Sequence, residues 1–131
     1  MANDLSDGAR ALFDAKTFVT LGTLNSDGSP QLSVVWVARD GDDLLMSTVI
    51  GRRKERNLRA DPRVSVMAVN PENPYQYVEV RGRAAMTEEG GRELIDSLAE
   101  KYTGVRPYAN DGPGDRRVVI RVSPGHVVAR G

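Results

Sequence analysis

Apolar and polar positions along this chain recur in short blocks, and their period changes from one block to the next. Ala9, Leu12 and Phe13 fall at helical spacing behind Ser6, a good capping residue, and Asp7, which suits the positive end of a helix dipole. They predict a short first helix. β-Branched and aromatic residues then crowd residues 18–24, as in a strand. The turn cluster at 25–30 centres on Asp27-Gly28. From there the chain is predicted to return through 31–38, turn at 40–43 and return again through 44–50, a meander of three adjacent strands.

The polar segment 52–59 reads as a short helix stopped by Asp61-Pro62. A strand at 63–69 and a loop at 70–74 follow. Residues 75–86 predict a long strand, with Val78, Val80, Ala84 and Met86 on one face and Tyr77, Glu79, Arg81 and Arg83 on the other. Cross-strand ion pairs are the simplest expectation for that polar face. Gly82, in its middle, marks a bulge or a close backbone approach. Thr87, Glu88 and Glu89 are predicted to open a helix carrying Leu94, Ile95, Leu98 and Tyr102, its first turn loosened by Gly90-Gly91. A mobile surface loop is expected at 104–115, then two last strands at 116–122 and 126–129. No repeat or linker interrupts the pattern. The fold class expected is mainly β, a small barrel of about six strands with two or three short peripheral helices, residues 1–131 forming one domain.

Composition narrows the chemistry. Lys plus Arg and Asp plus Glu both number 18, so the chain as a whole offers no field for nucleic acid or anionic membrane. With no cysteine there is no disulfide, thiolate nucleophile or thiolate-held metal. The single His126 argues against a histidine metal site or a Ser-His-Asp triad. No apolar run reaches the roughly 20 residues of a membrane helix. The start at Met1-Ala2-Asn3-Asp4 lacks the basic and apolar regions of a signal peptide. A cytoplasmic domain with no membrane or nucleic-acid partner is the expectation.

Within this neutral chain, five of the eight residues from Arg52 to Arg59 are cationic. They stand where a strand hands over to a helix, so backbone N–H groups without helical acceptors add to the side chains. Arginine forks and a lysine point charge suit a phosphate or phosphodiester, while a solvated helix face accounts equally well for the charge alone. Gln31, Ser33 and Val35 alternate with Leu32, Val34 and Trp36; the set reads as an ordinary strand whose Trp packs inward, or as polar groups meeting a planar heterocycle. Ser47 and Thr48 precede the basic segment. Tyr75 and Tyr77 share a face at strand spacing; core or ordinary surface packing is the simpler reading, and ring stacking or a subunit contact is the functional one. No dinucleotide fingerprint, phosphate loop or nucleophile–base pair is present, so an enzyme with this inventory needs a cofactor for its difficult step.

The order of these motifs resembles the pyridoxamine 5′-phosphate oxidase-like split β-barrel family. The residues that carry the likeness are Asp27-Gly28-Ser29-Pro30-Gln31-Leu32-Ser33-Val34-Val35-Trp36, the basic segment ending Ala60-Asp61-Pro62-Arg63, and Tyr77-Val78-Glu79-Val80-Arg81-Gly82. Lys54-x-Arg56-Asn57-Leu58-x-x-Asp61-Pro62-Arg63 is much like the actinobacterial branch that binds the deazaflavin coenzyme F420. The resemblance implies a homodimer with cofactor sites at the subunit interface. It implies Arg52 and Lys54 as phosphate ligands with Ser47, Thr48 and Asn57 nearby, and Pro30, Gln31, Ser33, Val35 and Trp36 along the ring. Tyr75 and Tyr77 would close over the coenzyme. The activity implied is F420-dependent reduction of an electron-poor acceptor such as a quinone or conjugated enone. An FMN oxidoreductase of the same fold and a non-catalytic coenzyme carrier are the alternatives. The end at 126–131 lacks the Arg and His substrate element of true pyridoxamine phosphate oxidases, so a vitamin B6 phosphate is not the expected substrate.

Overall fold

The computed structural model describes residues 4–131, and the expectation of no leader at residues 1–3 lies outside them. Its elements run α1 (Asp7–Asp14), β1 (Val19–Leu24), β2 (Pro30–Val35), β3 (Ala38–Asp40), β4 (Asp43–Val49), α2 (Arg53–Ala60), β5 (Arg63–Val69), β6 (Tyr77–Thr87), α3 (Gly91–Thr103) and β7 (Arg117–Arg130). All strand pairings are antiparallel and form one seven-stranded sheet in the order β2-β1-β5-β6-β7-β4-β3. The mainly β split-barrel class is thus as expected.

The expected meander is not present. β2 pairs only with β1, and β4 pairs with β7 and β3. The strand predicted at 31–38 breaks at Trp36-Val37, after which the chain continues as β3 on the opposite edge of the sheet. Two intervening residues span at most about 11 Å between Val35 and Ala38, so the sheet must curl until its edges nearly meet. That break adds the seventh strand, and it is the split in the barrel. Side chains from α3 hold the chain at that break. Val37 is fully buried; its N–H donates to Tyr102 Oη (3.2 Å) and its carbonyl accepts from Lys101 Nζ (2.7 Å). Lys101 Nζ also reaches the Phe13 carbonyl (2.8 Å), and Tyr102 Oη donates to Thr17 O (2.7 Å).

The core is built from alternate strand positions: Val19 and Leu21 on β1, Leu44 and Met46 on β4, Val64, Val66 and Ala68 on β5, Val78 and Val80 on β6, and Ile120 and Val122 on β7. Ser6 caps α1 as predicted, accepting from the Ala9 N–H at 3.1 Å, and Ala9 and Phe13 plug one end of the barrel. The last two predicted strands are one strand, β7, with Gly125 as the extra residue of a bulge where the register shifts opposite Arg81 and Gly82. A Cβ on Gly82 would lie 2.3 Å from the Ser123 carbonyl, so the close approach expected there is present. On the polar face of β6, Arg81 pairs with Glu79 along the strand rather than across it, and Arg83 lies opposite Arg63.

α3 starts at Gly91, not at Thr87, which is the last residue of β6. Gly91 is buried because α3 packs its first turn directly on the β7 backbone. The 104–115 segment is pinned rather than free. The Tyr108 N–H donates to Asp96 Oδ1 (2.9 Å), and Arg92 and Arg117 both hold Asp111 (3.2 Å and 2.7 Å). Among the described residues no helix is long and apolar enough to cross a membrane, and no group of three His, Cys, Asp or Glu is placed to hold a metal.

Candidate functional site

Strand alternation decides which of the candidate side chains meet. On β4, Leu44, Met46 and Thr48 face the core, leaving Ser47 on the other side. The chain then turns at Ile50-Gly51 into α2. Glu55 reaches back from the first turn to accept the Gly51 N–H (2.8 Å) and is itself gripped by Arg59. The cap residue Arg52 makes no side-chain cap bond, so the leading N–H groups of α2 stay open. Glu55 is buried, and the Arg59 guanidinium holds its carboxyl below the usual carboxylate range despite that burial.

Beside this turn lies a cleft of about 270 Å³. Arg52, Lys54 and Arg117 form its cationic wall, with Ser47 among them. Phe18, Trp36 and Tyr108 form an aromatic wall, and Ile95 and Leu98 of α3 with Val34 and Val35 of β2 supply the apolar lining. Trp36 is stacked on Tyr102 at 5.3 Å between centroids and 11°, while Tyr108 meets it edge-on at 6.0 Å and 89°. Such pairings fix ring orientation. The Arg117 guanidinium sits 5.0 Å over the Tyr108 ring, forms a two-pronged ion pair with Asp111 (2.9 and 2.7 Å), and donates to Ser47 Oγ at 3.3 Å.

Arg52 and Lys54 have no carboxylate within ion-pair reach among the described residues, in contrast to Arg59 and Arg117. Burial, with Arg52 and Arg117 adding repulsion, holds the Lys54 ammonium below its ordinary value of 10.5. Between that lowered value and 10.5 the unfolded chain holds the extra proton, so this group makes stability rise with pH across that window. An anion in the cleft offsets the repulsion from Arg52 and Arg117 and raises the Lys54 value, so binding takes up protons there. Calorimetry just below pH 10.5 in two buffers of different ionisation heat should give different apparent binding heats; identical heats would mean that Lys54 does not change its protonation on binding.

Of the residues named from the sequence, the structure brings Val35, Trp36, Ser47, Arg52 and Lys54 to this cleft. Trp36 lies past the end of β2 at its mouth rather than within a strand. The others lie elsewhere in the chain. Thr48 points into the barrel, fully buried, and its Oγ1 has no partner among the described residues. Asn57 is buried, and its amide donates to Thr23 Oγ1 (3.1 Å) and Asn25 Oδ1 (2.9 Å). Gln31 joins the same network through Thr23 (3.1 Å), which ties α2 to the β1–β2 hairpin. Ser33 Oγ is buried without a partner among the described residues, and Pro30 lines a hollow on the outer sheet face. Tyr75 is an exposed loop residue, and Tyr77 packs near the Arg130 end of β7. Arg117 and Tyr108 were not legible as site residues: one sits in a strand-forming run, the other in a Gly- and Pro-rich loop.

The unpartnered Thr48 hydroxyl carries the cost of losing water without a replacement bond. Thr48→Val should therefore raise stability by about 1 kcal/mol in thermal or urea melts. A loss of stability in that variant would mean that the hydroxyl does have a bonded partner in solution.

A larger hollow of about 420 Å³ lies around Gly22, Leu32 and Arg81 on the outer face, but its cations Arg63 and Arg81 are engaged by Asp61 and Glu79. The smaller cleft, where Arg52 and Lys54 have no counter-ion among the described residues and stand beside ordered rings, is the candidate site. Its donor set fits a flat aromatic group bearing a phosphate: open N–H groups and two cations at one end, edge and face of aromatic rings at the other.

Comparison with known proteins agrees with this fold. A solved F420 reductase superposes with a TM-score of 0.82 at 30% identity, over 95% of this chain and 98% of that one. A conserved hypothetical protein from Mycobacterium tuberculosis gives 0.79 at 26% identity, over 99% and 88%. General Stress Protein 26 from Bacillus anthracis shares the fold at 0.73 and 16% identity, over 95% and 92%. Residues 5–130, almost the whole chain, match the pyridoxamine 5′-phosphate oxidase family, and the protein belongs to it.

Proposed function

We propose that this protein is an oxidoreductase that uses the deazaflavin coenzyme F420. The observation that carries the reading is the meeting, in one cleft, of Arg52 and Lys54 without counter-ions and the Trp36–Tyr108 aromatic wall. Likeness to an F420 reductase at 30% identity over nearly the full length of both chains supports the choice of coenzyme. Arg52, Lys54 and the open first turn of α2 would hold the phosphodiester, and Ser47 would add a hydroxyl donor. Trp36 would orient the ring. The coenzyme, when bound, supplies a hydride to an electron-poor organic acceptor such as a quinone or conjugated enone, with the balancing proton drawn from solvent. The protein's share is orientation and exclusion of water, which its apolar lining favours.

The cleft of one protomer is smaller than the roughly 300–1,000 Å³ of a complete small-molecule site. Leu32 and Val34 stand 66% and 68% exposed on the outer face of β2, and Val34 also lines the cleft. Strand register sets Val34 in one row with Thr20 and Met67, and Leu32 in the next with Gly22 and Ser65. A second copy covering this face would complete the site, giving a homodimer with two coenzyme positions.

The test is a fluorescence titration of F420 and of FMN, with light scattering on the same samples. Micromolar or tighter F420 binding, weaker FMN binding and two coenzymes per dimer are the expected results. Preference for FMN would keep the fold and replace the coenzyme, and a monomer that saturates with F420 would remove the partner from the site. Acceptor-dependent oxidation of reduced F420 separates an enzyme from a carrier.

A further inference from the structure

We propose that Asp111 is a specificity-determining residue of this cleft, acting through Arg117. Its carboxylate cancels one of three cations on the wall and so sets how a singly charged phosphodiester competes with a doubly charged phosphomonoester. The inference rests on the coenzyme reading above and concerns which phosphate that site prefers.

Asp111 and Arg117 are a buried pair, with side chains 7% and 6% exposed. Arg117 contributes Nε and Nη2, and Arg92 of α3 reaches the same carboxylate at 3.2 Å. Arg117 holds the Asp111 carboxyl below its usual range, so it is charged at neutral pH. Arg117 also lines the cleft with Arg52 and Lys54 and touches Ser47 from its other side. The wall therefore carries three cations and one carboxylate, a net charge of two rather than three. Each negative charge on a ligand is repelled by Asp111 in turn, so a dianion loses about twice what a monoanion loses. Asp111 weakens both and shifts the preference toward the diester.

A purely mechanical role would look different. Asp111 helps pin the segment carrying Tyr108, and loss of a buried ion-pair partner strains the site. If that were its whole contribution, every ligand of the same ring would loosen alike.

The probes are 8-hydroxy-5-deazariboflavin, its 5′-phosphate and the methyl ester of that phosphate. They share one ring and carry no, two and one phosphate charges. Their dissociation constants would be read by fluorescence on the full chain. Asp111→Asn should raise affinity for the 5′-phosphate over the methyl ester by about fivefold relative to the unmodified protein. Asp111→Glu should restore the original ratio, and so should Asp111→Asn combined with Arg117→Gln, which removes one charge of each sign. Arg117→Gln alone leaves Asp111 beside Arg92 and should move the ratio the other way, a reading that survives if Asp111→Asn does not fold. An unmoved ratio in the variants that fold overturns the proposal and leaves Asp111 a strut. If the unmodified protein binds all three probes equally, no phosphate is held, and the coenzyme reading falls together with this one.

Discussion

Replacing Arg52 and Lys54 together with alanine lowers the affinity for F420 about a hundredfold, close to 3 kcal/mol, and leaves the melting temperature within a few degrees. The two halves of this expectation have separate causes. Neither side chain is held by a carboxylate among the described residues, so no ion pair is broken, and Lys54 is relieved of a charge that burial disfavours. For the ligand, two charge-assisted contacts vanish, each worth about 1.5–3 kcal/mol. Arg53 and Arg56 lie on the same helix but do not line the cleft, and they are the internal control. Their double replacement removes the same charge from the basic segment yet should weaken binding by less than about fivefold, the size of a screened surface effect. Equal losses in the two double variants would reduce the basic helix to a general attractor and remove the phosphate assignment.

The largest expected loss of stability lies at a glycine. Gly91→Ala should cost about 3 kcal/mol and lower the melting temperature by roughly 10 °C. A Cβ there would stand 2.2 Å from the Arg117 carbonyl oxygen and 2.7 Å from its carbon, both backbone atoms of the first residue of β7, which pairs with Val49 of β4. α3 or β7 must move. Because the displaced residue is Arg117, the same variant should also weaken coenzyme binding, although Gly91 itself does not line the cleft. Gly114→Ala, where an added Cβ meets nothing within 4 Å, should melt within about 1 °C of the original protein. A normal melt for Gly91→Ala would mean that the helix backs away freely, and with it the rigidity claimed for the cationic wall.

The same glycine marks where the chain was readable and where it was not. Gly90-Gly91 is a weak point when α3 is considered alone, because helix propensity carries no information about a strand passing 26 residues later in sequence. Strands whose alternation had one clear apolar face, β5 and β6, were legible nearly to the residue. The partners of those strands were not, since nothing local in residues 31–38 says that two residues carry the chain from one edge of the sheet to the other. The site divided in the same way. Ser47, Arg52 and Lys54 are close in sequence and were found together. The family resemblance set Thr48 and Asn57 beside them, but strand alternation and helix phase turn both inward. Arg117, Tyr108 and Asp111 reach the cleft through pairing of β4 with β7 and through the strapped loop, which depend on tertiary packing.

A fully closed barrel has a girth fixed by its ladder, rung after rung. At the split between β2 and β3 that role falls to one ammonium and one phenol, Lys101 and Tyr102, which clasp Val37 from the last turn of α3. Trp36 is the residue just before the clasp, and its indole lies on the ring of Tyr102. The helix thus acts as a buckle on a belt: where α3 sits along its own axis determines how far the seam gapes and at what tilt the indole meets a guest. Substitutions at a buried α3 position outside the cleft lining, such as Ala99, therefore tune the aperture of the cleft as changes to its walls do.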